Sequence, residues 1–248
     1  MSNEISEGCT VTIENQFYRR HYGGGVEVGA TPLDVFEREM LAPGKRYGLV
    51  TEGLLKDQPS GGCLAEIGCG GAEALLILSR RYRFDRVVGI DVAVNVPNGV
   101  RSGIEIIACN LNDKWPFRDA EIDYLIAMMI IEHLFDPFHA FREIKRCLSK
   151  KGTAYVNLPL VTVIWNRIRL LFGYMPETSI TYKNWFDQSE WDGNHLHYFS
   201  IGSIRDLADT CGLRLTEVHG VGRLHKLKTQ LPRLLAGEVT FRLQHTNN

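Results

Sequence analysis

The chain has 248 residues, 44% of them hydrophobic, enough to bury one sizeable core. Lys plus Arg number 28 against 29 Asp plus Glu, so no global basic field marks a dedicated nucleic-acid binder. The six cysteines form no CxxC pair, the amino terminus "MSNEISEGCT" is too acidic and polar for a signal peptide, and the longest apolar run, "YLIAMMII" (124–131), is far short of a membrane span; together they are read as a cytoplasmic protein with reduced thiols and no transmembrane segment.

In chain order, "IENQFYRRHY" (13–22) has helical character, and "YGGGVEVG" (22–29) follows as a glycine hinge. Residues 33–55 alternate with helical spacing, broken at Pro43-Gly44. A Pro-Ser-Gly-Gly turn leads into a strand at 63–67, then a helix at 72–82 and the β-branched strand "RVVGID" (86–91). "IEIIACN" (104–110) and "IDYLIAMM" (122–129) are the next strands, the latter apolar throughout, as a strand covered on both faces should be. Asp136-Pro137 reads as N-cap and N1 of a helix ending near Leu148, and "GTAYVNLP" (152–159) as a fifth strand. Strands alternating with helices predict an α/β, Rossmann-like doubly wound sheet. Residues 160–199, rich in Trp, Tyr and Phe, interrupt that rhythm as a cap insertion above the carboxyl edge, where ligands bind in such sheets. Ser200 and Gly212 bracket a last helix, and "LRLTEVHG" and "EVTFRLQ" are two more strands.

The loop after the first strand, "LAEIGCGGAE" (64–73), is the informative one. A dinucleotide fingerprint, G-x-G-x-x-G, would place a third glycine where Glu73 stands, and an anion there opposes a diphosphate at a helix N-terminus. No G-K-[ST] follows, so a P-loop is excluded. The loop therefore suits a ligand needing close backbone approach but carrying no phosphate, and S-adenosylmethionine fits. Its ribose diol wants a carboxylate at the end of the second strand; Asp91 stands there, 23 positions after Gly68.

Several segments resemble the class I S-adenosylmethionine-dependent methyltransferases over about residues 45–222. "LAEIGCGGAEAL" is similar to the family's first motif and "VVGID" to its second. The run from "IIACNLNDKWPF" to "KKGTAYVNLP" follows it in order, and "HLHYFSIGSIRDLADTCGL" resembles the late His-aromatic-helix element. The resemblance implies a seven-stranded sheet, mostly parallel, with one antiparallel strand near the C-terminus. It also implies an N-terminal helical lid (1–55) before the methyltransferase domain (56–248). Within the family, "LLFGYMPETSITYKNWFD" followed by "HLHYFS" resembles two subgroups. One is the methyltransferases of polysaccharide and natural-product clusters (methyltransferase type 11/23-like). The other is the methionine-biosynthesis W protein, which works beside a homoserine acyltransferase. By carry-over, Glu66, Gly68, Cys69 and Gly70 contact the methionine part, Asp91 the ribose hydroxyls, and Asn110 with Leu111 the adenine; Met128 lines the same site. The family usually has Asp where Asn110 stands, and an amide oxygen can still accept from the adenine amino group. Ubiquinone-pathway relatives carry a carboxylate where Met129 stands, so no metal is assigned.

His133 and Glu132, at the end of the fourth strand, are candidate catalytic groups; the bland reading has them fastening a loop to the sheet. His195 is the candidate acceptor-pocket histidine; with His197 alone it makes an incomplete metal pair. From the amino-terminal segment, Tyr22 (with Tyr18) could face the sulfonium and Arg46 the cofactor carboxylate, or these could be plain packing and solvent-facing charge. The basic residues after Arg223 could steer an anionic or lipid-linked acceptor, or simply form a solvated face. The expected activity is methyl transfer from S-adenosylmethionine, leaving S-adenosylhomocysteine, to a small-molecule acceptor, at oxygen of a sugar or related metabolite. The alternative is a methyltransferase-like partner of a homoserine acyltransferase. A nucleic-acid methyltransferase ranks last, because "MMIIEHL" stands where a motif such as N/D-P-P-Y would be.

Overall fold

A computed structural model describes residues 33–92, 103–179 and 195–246. It opens with α1 (Leu33–Phe36), running into a π-helical turn (Glu37–Leu41), and α2 (Gly48–Asp57). Then come β1 (Cys63–Ile67), α3 (Glu73–Arg81), β2 (Arg86–Asp91), β3 (Glu105–Ala108) and β4 (Ile122–Met128). A 3₁₀ turn (Ile131–His133) leads to α4 (Pro137–Cys147), β5 (Leu148–Pro159) and α5 (Ile164–Leu171). The chain closes with α6 (Ile201–Thr210), β6 (Leu213–Gly220), α7 (His225–Gln230), α8 (Pro232–Leu235) and β7 (Glu238–His245).

The sheet order is β3-β2-β1-β4-β5-β7-β6. All neighbours are parallel except β7, which runs antiparallel to both β5 and β6. The order reverses between β1 and β4, so the crevice at their carboxyl ends is where an open sheet of this kind binds ligands. Alternate strand residues feed two cores. Ala65, Ile67, Leu125 and Ala127 pack with α4 and α6 through Phe141, Ile144 and Leu207. Leu64 and Ile126 pack on the other face with α2 and α3 through Val50, Leu54 and Leu75.

Caps set the helix starts as the sequence predicts. The Asp136 carboxylate accepts from the Phe138 N–H with Pro137 at N1, and Ser200 and Ser203 form a reciprocal capping box. Gly212, at φ 75°, ends α6 in the left-handed conformation expected of a C′ glycine. Two expectations need correcting. The fifth strand starts at Leu148 rather than Gly152, because Leu148 already pairs with Ile122 ahead of an irregularity in the register. The basic stretch after Arg223 is no simple tail: it forms α7 and α8 and returns as β7 between β5 and β6. Arg242 is therefore drawn into polar contacts with Glu217 and Thr153 and cannot steer a ligand. Among the described residues no helix is long and apolar enough to cross a membrane, and Cys63, Cys69, Cys109, Cys147 and Cys211 are free thiols.

Candidate active site

The carboxyl edge of β1 is built around a buried carboxyl. Glu66 is 1% exposed, and the Tyr47 hydroxyl donates to its Oε1 at 2.6 Å while Oε2 has no hydrogen-bond partner. Burial pushes the Glu66 carboxyl up to about 8, against the opposing pull of the Tyr47 hydrogen bond. Tyr47 itself is raised well above the ordinary phenol value by burial and by the adjacent Glu66. The chain then turns through Gly68, at φ 70°, whose N–H donates to the Ile90 carbonyl at 2.8 Å. A Cβ on Gly68 would stand 2.7 Å from Ile130 Cγ1, so only glycine fits where this loop meets the one after β4. Gly70 differs: at φ 51° its absent Cβ would meet nothing within 4 Å. That open space leaves room for a ligand segment that approaches the backbone closely and carries no phosphate. Cys69 is buried against Gly89 of β2, and burial raises its thiol, so it is a wall of the site and not a nucleophile.

Asp91 closes β2 beside this loop, and its Oδ2 accepts from the Gly70 N–H at 2.9 Å. It positions the glycine turn as well as facing the crevice. Asn110 follows β3 and is 9% exposed. Its Oδ1 already accepts from the Asn112 N–H at 3.1 Å and from Asn112 Nδ2 at 3.0 Å, while its own Nδ2 is buried without a partner. The backbone donor fixes the amide orientation and leaves Nδ2, a donor, as the atom without a partner among the described residues. Leu111 is buried against the core and its carbonyl accepts from the Trp115 indole at 3.1 Å. Met128, 9% exposed, forms the floor at the end of β4.

Past β4, Met129 adopts φ 52° and donates its N–H to the Asn157 carbonyl at 3.1 Å, turning the chain sharply into the 3₁₀ turn. That turn places Glu132 in full burial, with no partner for either carboxylate oxygen among the described residues beyond its own backbone N–H. Burial holds its carboxyl up at about 8, although its own backbone N–H and Arg46 pull the other way. His133 Nε2 lies 3.9 Å from Glu132 Oε1, and its ring meets the His195 ring edge-on at 4.9 Å between centroids. His195 Nδ1 is 2.6 Å from Thr178 Oγ1. The loop-fastening reading of Glu132 also holds, through its backbone: its carbonyl accepts from the N–H groups of Leu196 and His197. One ligand atom from each of Glu132, His133 and His195 lies within 4.8 Å of the others, a spacing that could hold a metal ion.

Arg46 does not stand free for a cofactor carboxylate. Its Nε and Nη2 form a two-pronged bond with Glu238, at 2.7 and 3.2 Å. Tyr18 and Tyr22 lie outside the described residues. Tyr47, Glu238 and Thr178 complete the site without having been signalled in the sequence. Tyr47 lies 19 positions from Glu66 and Glu238 lies 192 from Arg46, separations no local pattern reports.

A family model described as a methyltransferase domain matches residues 39–218. The chain belongs to the class I S-adenosylmethionine-dependent methyltransferases. The matched region is a methyltransferase domain, of a family that takes S-adenosylmethionine as its methyl donor. Over 100 residues, 38% of the chain, it is 31% identical to two Mycobacterium tuberculosis proteins, each named a probable S-adenosylmethionine-dependent methyltransferase. The matched region spans only 34% of those relatives. Among solved structures, geranyl diphosphate C-methyltransferase from Streptomyces coelicolor aligns with TM-score 0.60 at 12% identity, covering 96% of this chain and 100% of that one. A methyltransferase from Thermotoga maritima aligns at 0.54 and 18% identity, covering 94% and 100%. At these identities the structures share the fold. The relatives named here are methyltransferases, so the acyltransferase-partner alternative gains no support.

Proposed function

We propose that the enzyme methylates a hydroxyl of a small metabolite, of the sugar or natural-product class, with His133 as the base. One observation carries this reading: a histidine pair and a fully buried carboxyl converge at the carboxyl end of β4, across the crevice from the glycine loop. S-adenosylmethionine supplies an electrophilic methyl group and a good leaving group. The protein must therefore position the acceptor, exclude water and remove a proton, and orientation alone contributes up to about 7–11 kcal/mol. An alcohol acceptor needs that proton removed as the C–O bond forms, and a positioned base contributes about 10²–10⁴-fold.

In this assignment His133 takes the proton, and Glu132, whose Oε1 lies 3.9 Å from His133 Nε2, holds the ring in orientation. His195, held by Thr178, orients the acceptor. On the cofactor side, Glu66 and the Gly68–Gly70 turn hold the methionine end, Asp91 the ribose, and Asn110 with Leu111 the adenine. The unpaired Nδ2 of Asn110 and the open space at Gly70 support that placement.

The test is methyl transfer from labelled S-adenosylmethionine into hydroxylated small-molecule fractions, comparing wild type with His133→Gln. A fall of about 10²–10⁴-fold in turnover with S-adenosylhomocysteine affinity retained supports the base. Full activity in the variant contradicts it. A chelator separates the base from a divalent ion held by the same three side chains: the base reading expects no loss of rate.

A further inference from the structure

Helix α5 is turned inside out relative to an ordinary surface helix. Its buried side chain is polar: Asn166, which exchanges two hydrogen bonds of 3.0 Å with the Glu177 backbone. Trp165, Leu171 and Phe172 instead face out at 70, 80 and 71% exposure. α7 and α8 bury no residue, and Leu224, Leu227, Leu231 and Leu234, spaced as one helical stripe, are exposed as well. The two stretches are neighbours, because Arg167 of α5 donates to the Arg233 carbonyl of α8 at 3.1 Å.

Their charge is one-sided. Residues 160–177 and 221–238 hold six Lys or Arg against two glutamates, Glu177 and Glu238, which pair with Arg169 and Arg46, in a chain whose net charge is −1. Arg167, Arg223, Lys226 and Arg233 are exposed beside the apolar stripe. A monomeric soluble protein rarely leaves so much contiguous apolar surface bare. Apolar side chains including Trp, flanked by long cationic stems, are the signature of a helix face that lies in a lipid interface, where the stems reach headgroup phosphates as the hydrocarbon inserts.

We infer that α5, α7 and α8 form a docking surface for an anionic lipid bilayer. The patch sits on the same edge as the active site: α5 follows the carboxyl end of β5, and α7 and α8 follow that of β6, which runs parallel to β5. α7 also abuts the segment carrying Arg46 and Tyr47, since Gly222 donates to the Gly44 carbonyl at 2.8 Å. Docking therefore turns the crevice toward the membrane and favours acceptors carried at its surface. The docking itself does not depend on which hydroxyl is methylated.

Co-sedimentation of the full chain with vesicles tests this separately from catalysis. Vesicles of phosphatidylcholine and phosphatidylglycerol in equal parts should bind it, and vesicles of phosphatidylcholine alone should bind it at least about tenfold more weakly. Added salt should release it. Leu171→Asp with Phe172→Asp should abolish binding, and Arg223→Gln with Lys226→Gln should weaken it about tenfold or more. Both variants touch exposed side chains, so an unchanged thermal midpoint certifies their folding. Absence of binding to the mixed vesicles at low salt overturns the inference. So does a wild-type dimer that the aspartate variant dissociates without any vesicle binding, which would make the patch a protein interface.

Discussion

The two halves of the crevice each bury a glutamate, and they treat it differently. Glu66 accepts from the Tyr47 hydroxyl on one oxygen, while among the described residues Glu132 accepts only from its own backbone N–H and lies against a histidine pair. The first arrangement holds one carboxyl oxygen on a buried tyrosine. The second leaves a polar group under-satisfied in a low dielectric, which is costly unless it answers a charge that develops next to it. Binding should therefore track the Glu66 side and turnover the Glu132 side.

The sharpest way to break that division is at the glycines. Gly68→Ala puts a Cβ within 2.7 Å of Ile130 and keeps a positive φ, so it should lose both stability and S-adenosylhomocysteine affinity, the latter by more than about tenfold. Gly70→Ala meets no protein atom and should cost only the left-handed strain, about 1–2 kcal/mol, while still weakening the ligand. Thermal melts alongside calorimetry read both quantities; equal behaviour of the two variants would contradict the assignment of the open space. Next in size is Glu132→Gln, which should lower turnover by about tenfold or more with ligand affinity unchanged, since it acts through His133. Glu66→Gln should show the reverse pattern, a weaker ligand with turnover at saturation retained.

A separate effect is on stability against pH. Both carboxyls stand near 8 in the folded chain against an ordinary 4.5. Between those values the unfolded chain holds fewer protons than the folded one, so stability contributed by the neutral forms is lost as pH rises toward 8 and levels off beyond it. The thermal midpoint should fall across that window, and Glu132→Gln should flatten the fall by about half. A midpoint insensitive to pH there would mean that these carboxyls are ionised when folded.

How legible each half was follows the same division. The glycine loop, Asp91 and Asn110 are each written at the end of a strand, so their placement follows once the strands are recognised, and the β1–β4 switch point collects them. The orientation of Asn110 was not legible, because Asn112 decides which of its atoms faces the crevice. The acceptor side depends on contacts across the chain: His133 meets His195, and Thr178 fixes His195, at separations where sequence carries no pattern. Arg46 misled for the same reason, its partner being on the last strand. The outward apolar face of α5 was visible only as aromatic richness, since composition does not say which way a helix turns.

The measurement that bears most directly on the account is a calorimetric titration of S-adenosylhomocysteine into wild type and Asp91→Ala. Asp91 anchors the Gly70 turn and is proposed to hold the ribose, so wild type should bind in the micromolar range or tighter and the variant about a hundredfold more weakly, the loss of charged hydrogen bonds worth about 1.5–3 kcal/mol each. Equal affinities would contradict the placement of the cofactor along this edge of the sheet.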